Sequence, residues 1–92
     1  MTARQFEKKV SAVLAGYRRY NIISHKTWKE DHQLFLSVKL GPEMLRKEPW
    51  GVYAVFDRDG KLIRSSCGGL RDVVFTRILM KRIEAACGKA AK

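Results

Sequence analysis

Apolar residues recur along this chain in two rhythms, one helical and one of strict alternation. Phe6, Val10, Val13, Leu14 and Tyr17 fall at intervals of three and four, which places them on one face of a helix. Arg4, Lys8, Arg18 and Arg19 fall on the opposite face. Thr2 and Gln5, three apart at the head of this run, form a capping box, and Asn21 is the stop signal. The rhythm then changes. Leu34, Leu36, Val38 and Leu40 alternate with Phe35, Ser37 and Lys39, the signature of a half-buried strand. Ile22–Trp28 reads as its partner, with Lys29-Glu30-Asp31-His32 as the turn. If Trp28 pairs with Gln33, then Ile23, His25 and Thr27 share the Leu34/Leu36/Val38 face. Ile22, Lys26, Trp28 and Phe35 then share the other.

Gly41-Pro42 ends that strand, and residues 42–48 have the composition of one helical turn before Pro49. Trp50–Phe56 and Lys61–Cys67 read as a second hairpin around Asp57-Arg58-Asp59-Gly60, with Gly60 supplying a positive φ. Trp50, Val52, Ala54 and Phe56 share one face of the third strand, Tyr53 and Val55 the other. Gly68-Gly69 breaks the sheet. Gly69 then caps a last helix, Asp72 lies in its first turn, and Gly88 closes it. Val73, Phe75, Leu79, Met80 and Ile83 form the apolar arc of that helix. Arg71, Arg77, Lys81 and Arg82 are mixed with Val74 and Ile78 on its other side.

The order is α-β-β-β-β-α, which predicts an α+β fold: a four-stranded antiparallel sheet with two helices packed on one face. Residues 1–88 form a single domain, and 89–92 a short basic tail. The open sheet face then presents Trp28, Phe35, Tyr53 and Val55 with Lys26, Lys39 and Arg64. A face this apolar calls for a cover or a partner.

Charge sharpens the picture. The chain of 92 residues has a formal net charge of +10, and residues 1–20 and 70–92 supply +8 of it. Basic excess on two helices suits a polyanion. No run of about 18 apolar residues is present to span a membrane, and the start lacks a secretory signal. Cys67 and Cys87 flank the last helix and would stand too far apart for a disulfide. Free thiols imply a reducing, cytoplasmic setting.

Catalytic and cofactor signatures are missing. No phosphate-loop pattern occurs. Gly68-Gly69 ahead of a helix, with Arg71 close by, offers free backbone N–H groups that suit one phosphate, and equally a plain tight turn. His25, His32, Cys67 and Cys87 lack the paired spacing of zinc ligands. Cys67, near Arg64 at the start of a helix, has no partner base adjacent in sequence, although His25 could approach it in space. The sequence therefore implies no enzyme, no metal and no cofactor.

Two features of the chain resemble known families. Gly51-Val52-Tyr53, Asp59-Gly60-Lys61-Leu62-Ile63 and Leu70-Arg71-Asp72 resemble the opening of a GIY-YIG nuclease module, with Tyr53 at the first motif tyrosine. Arg64-Ser65-Ser66 stands where that family has Tyr-x-Gly, and Val73 where it has its catalytic Arg, so cleavage is not implied. The order of elements also resembles the double-stranded-RNA-binding domain, but Gly69–Val74 lacks the lysine cluster of that family.

The expectation is a small, basic, non-catalytic module that binds nucleic acid, DNA or RNA. The residues that would carry this are Arg4, Lys8, Arg18, Arg19, Arg71, Arg77, Lys81 and Arg82 on the helices, or Lys26, Trp28, Phe35, Lys39, Tyr53 and Arg64 on the sheet. The alternative is a protein-interaction or accessory module, homodimeric or docked on an acidic partner, using Val74 and Ile78 among the arginines. Small size and high charge also suit a phage-derived protein.

Overall fold

The computed structural model of the protein describes residues 1–17, 20–41, 50–67 and 73–90. Helix α1 (Ala3–Leu14) leads through a 3₁₀ turn (Ala15–Tyr17) into four strands and a closing helix α2 (Val73–Ala90). The strands are β1 (Ile22–Glu30), β2 (Gln33–Leu40), β3 (Trp50–Phe56) and β4 (Leu62–Cys67). They form one antiparallel sheet in the order β1-β2-β3-β4.

The capping box starts α1 as its sequence implies. The Gln5 amide N–H donates to Thr2 Oγ1 at 3.1 Å, and the Thr2 N–H donates to Gln5 Oε1 at 2.8 Å. Two orphan donors of the first turn are satisfied in this way. Phe6, Val10, Leu14 and Tyr17 are buried, and Val13 packs at the margin.

Both helices lie on the same side of the sheet. Their side chains Phe6, Val10, Leu14, Leu79, Met80 and Ile83 form one core with Leu34, Leu36, Val38 and Leu40 of β2 and Val52, Ala54 and Phe56 of β3. Every one of the β2 and β3 residues sits at an alternate position, so the period of two in the sequence decides which face is buried. Phe6 and Phe56, from helix and sheet, meet in a tilted ring pair with centroids 5.1 Å apart.

The first hairpin differs from its sequence reading in two respects. The turn is two residues, Asp31-His32, both with positive φ, and not the four residues 29–32. Lys29 and Glu30 remain in the ladder opposite Leu34 and Gln33, so Trp28 pairs with Phe35 and not with Gln33. β1 is an edge strand, where charged side chains are tolerated, so polarity did not mark the turn. A shift of two residues preserves the faces, and His25 and Thr27 do lie on the Val38 and Leu36 side. The second difference reverses Ile22 and Ile23. The ladder slips between Ile22 and Ser24, which turns Ile22 toward the core opposite Leu40 and leaves Ile23 about half exposed (52%).

The second hairpin forms as expected. Asp57 Oδ1 accepts from the N–H groups of Asp59 and Lys61, and the Gly60 N–H donates to the Asp57 carbonyl. Gly60 has φ +87°, and a Cβ there would lie 2.4 Å from Cys87 Cβ. Glycine is therefore required both by conformation and by the approach of α2. A carboxylate oxygen of Glu84 on α2 accepts from the Leu62 N–H at 2.6 Å and ties that helix to β4.

α2 begins at Val73, which is 41% exposed and outside the apolar arc, and it continues through Gly88 to Ala90. A glycine costs a helix about 1 kcal/mol relative to alanine. That is too little to end a helix in which Cys87 is anchored in the core and good helix formers follow. The helical turn expected over 42–48, the Gly68-Gly69 turn and the Gly69/Asp72 helix start lie outside the described residues.

Candidate nucleic-acid interface

On the face of the sheet turned away from both helices, strand register assembles two rows. Trp28, Phe35, Val55 and Arg64 lie side by side across the four strands, and Lys26, Ser37, Tyr53 and Ser66 form the next row. Lys39 stands one position further on, between Ser24 and Gly51. Six residues named from the sequence, Lys26, Trp28, Phe35, Lys39, Tyr53 and Arg64, thus share one surface although they span 39 positions of chain.

Three aromatic rings form its centre. Trp28 and Phe35 stack nearly parallel, with centroids 5.3 Å apart and an interplanar angle of 7°. Tyr53 leans against both at 6.5 Å, tilted by about 40°. All three are half-buried, and Val55 beside them is fully buried. The centre of this surface therefore presents rings and cations. Phe35 occupies one face of the Trp28 indole. Because β1 is the edge strand, the other indole face looks outward, and the Lys26 ammonium stands 5.7 Å from its centroid. Lys39 and Arg64 are exposed on either flank. Glu30 also falls on this face, at the end away from Lys39.

The helix residues divide differently. Arg4 and Lys8 are exposed on α1, one turn apart. Val74, Arg77, Ile78, Lys81 and Arg82 are exposed on α2. Arg18, Arg19 and Arg71 lie outside the described residues. The Arg82 guanidinium carbon is 5.4 Å from the Tyr17 ring centroid, so part of its charge is directed onto an aromatic face.

One polar cluster escaped sequence reasoning. Glu7 of α1 meets His25 and Thr27 of β1: His25 Nε2 is 2.6 Å from Glu7 Oε1, Thr27 Oγ1 donates to Glu7 Oε2, and Ser11 Oγ donates to Glu7 Oε1 at 3.0 Å. Burial pushes the Glu7 carboxyl up. Hydrogen bonds from Thr27, His25 and Ser11, with the His25 charge, outweigh this and hold it below the ordinary carboxylate value. The group contains the residue types of a Ser-His-acid triad but not its geometry. The Ser11 hydroxyl and the Glu7 carboxylate approach the same imidazole nitrogen, Nε2, whereas a relay needs one on each nitrogen. The cluster is a clasp that fastens α1 to an edge strand.

The thiols are placed differently. Cys67 ends β4 opposite Val52, and His25 lies on β1 at the other edge of the sheet, about 14 Å away by strand spacing. Cys87 is fully buried on α2. Burial pushes its thiol up, Lys9 opposes and Glu84 adds to the rise. Neither cysteine is in a disulfide. Among the described residues no three His, Cys, Asp or Glu side chains converge on a metal site, and no helix is long and apolar enough to cross a membrane.

Comparison with known proteins found no matching family model, no matching curated protein and no matching solved structure.

Proposed function

We propose that this protein is a non-catalytic nucleic-acid-binding module that holds a single strand on the open face of its sheet. The supporting observation is the Trp28–Phe35 stack flanked by Tyr53 and bordered by Lys26, Lys39 and Arg64. An unpaired base offers a π-face, and base–aromatic stacking contributes about 1–3 kcal/mol per base. The outward indole face of Trp28 receives a base. The Lys26 ammonium that now stands near that ring moves to the adjacent phosphate. Lys39 and Arg64 take phosphates on the two sides.

Single strands are preferred, because a duplex keeps its bases stacked on each other and leaves the rings without a role. Sequence preference is weak, since hydroxyls and cations predominate beside the rings and phosphate contacts do not read bases.

The test is fluorescence anisotropy with labelled 12-nucleotide DNA and RNA, single- and double-stranded, across a salt series. Three phosphate contacts predict a log K against log salt slope of about −2, at about 0.7 per contact on single strands. Trp28→Ala should weaken binding by about 1–3 kcal/mol, and Lys39→Gln should reduce the slope by about 0.7. Preference for duplex, or affinity unchanged in Trp28→Ala, overturns the assignment to the sheet face. No binding to any of the four at low salt overturns the nucleic-acid reading itself.

A further inference from the structure

α2 carries apolar side chains on two sides, and the core uses only one. At 100° per residue, Thr76, Leu79, Met80, Ile83 and Cys87 share the buried arc. Val74 and Ile78, one turn apart on the opposite arc, are 67% and 47% exposed. Beside them a groove of about 380 Å³ opens between α2 and the segment that follows α1. Its lining is Tyr17, Tyr20, Val74, Phe75, Ile78 and Arg82. The aromatic wall is continuous: Tyr20 and Phe75 are 4.6 Å apart, Tyr17 and Tyr20 5.5 Å, and Tyr17 and Phe75 5.7 Å between centroids.

The pattern of charge favours an occupant. Arg77 and Lys81 lie on one side of the Val74/Ile78 stripe and Arg82 on the other, so the apolar strip is framed by cations. Glu84, the only acid within the described α2, is turned to Lys81 and to the Leu62 amide.

From this we infer that the α2 groove docks an acidic amphipathic peptide segment of another protein. Its apolar side chains would fill the groove and its carboxylates would meet Arg77, Lys81 and Arg82. Charge complementarity selects this occupant. A second copy of the chain would bring the same three cations against these three, and like charges brought together at an interface cost several kcal/mol. Nucleic acid would satisfy the cations but gain nothing from Val74 and Ile78, whose aliphatic groups bury well only against apolar side chains. The sheet face shows the reverse balance, so the two surfaces fit different partners, and this assignment stands whether or not the sheet face binds nucleic acid.

The experiment is selection of random 15-residue peptides displayed on phage against the whole protein, followed by calorimetry on the synthesised winners. The winners should be enriched in Asp and Glu, carry large apolar residues at helical spacing, and bind more weakly as salt rises. Affinity should fall at least tenfold for both Ile78→Asp and Arg82→Glu, exposed positions at which the melting temperature is checked, with Val74→Asp as a second apolar probe. Trp28→Ala should bind the peptides unchanged. Basic or neutral winners, winners indifferent to these substitutions, or no enrichment over blank beads would overturn the proposal. Sedimentation showing a dimer that Ile78→Asp dissolves would overturn it in favour of a second copy.

Discussion

Glu7 shows how a single side chain can join two elements. Its carboxylate accepts from Ser11 on its own helix and from Thr27 on β1, with His25 on the same oxygen as Ser11. These contacts hold its carboxyl below the ordinary value of 4.5. A carboxyl with a depressed folded-state value stabilises the fold fully above the unfolded value and loses that contribution as pH falls through the folded one. The prediction is that wild type exceeds Glu7→Gln in stability above about pH 4.5, and that the gap closes as pH falls below it. The side chain is 42% exposed, so the gap is modest. Urea denaturation of both proteins from pH 6 to pH 2.5 measures it, and a gap that stays constant over that range would sink the idea. No sequence pattern links Glu7 to Thr27, because their contact exists only once α1 has docked. A residual signal is present in β1 itself. His25, Thr27 and Lys29 occupy the helix-facing positions where an apolar strand would place valine or isoleucine.

The β1–β2 hairpin turns through Asp31 and His32 at φ +50° and +63°. Positive φ at both central residues matches the twist of the strands, but an L-residue in that region costs about 1–2 kcal/mol, and least for Asn, Asp and Gly. The double substitution Asp31→Asn and His32→Gly keeps the turn and removes most of that cost. It should raise stability by about 1 kcal/mol in urea denaturation without changing the slope of the transition. A neutral or destabilised double variant would mean that the turn is not strained. This turn also marks the boundary of what the sequence disclosed. The four strands, both helices and the buried face of β2 were legible, because alternation and the 3.6 period are direct consequences of burial. The register of β1 was not, because Lys29 and Glu30 are polar in an edge strand just as they would be in a loop. The Ile22/Ile23 reversal was hidden for the opposite reason, since two isoleucines in succession carry no alternation to read. The grouping on the sheet face was legible because alternation puts Phe35 and Tyr53 on the side away from the core, and the two-residue shift of β1 leaves Trp28 with them. The α2 groove was only half so. Val74 and Ile78 stand out among cations, but nothing in sequence brings Tyr17 and Tyr20 to Phe75.

At the scale of the whole molecule, 19 basic residues face 9 acidic ones on a chain of 92, and the excess is concentrated in the two helix-bearing ends. Packing α1 and α2 side by side on one face of the sheet brings those ends together. The formal +10 already counts every acid, and of the ion pairs seen among the described residues, Glu7 with His25 and Lys81 with Glu84, only the second engages a lysine or arginine. Folding therefore works against self-repulsion, and repulsion between exposed charges is screened over about 10 Å at 0.1 M salt. Raising sodium chloride from 20 to 300 mM should accordingly raise the melting temperature, where a protein held by exposed ion pairs would lose stability. The same change should weaken binding of a single strand to the sheet face, by about two-hundredfold for a slope of −2 over this range. Salt acts with opposite sign on the two measurements because screening relieves repulsion within the free protein and weakens its attraction to a polyanion. Melting scans and anisotropy titrations on one preparation check both signs together. If stability falls while affinity also falls, exposed ion pairs help to hold the fold and the self-repulsion argument is overturned, while the cations still carry the binding of a polyanion.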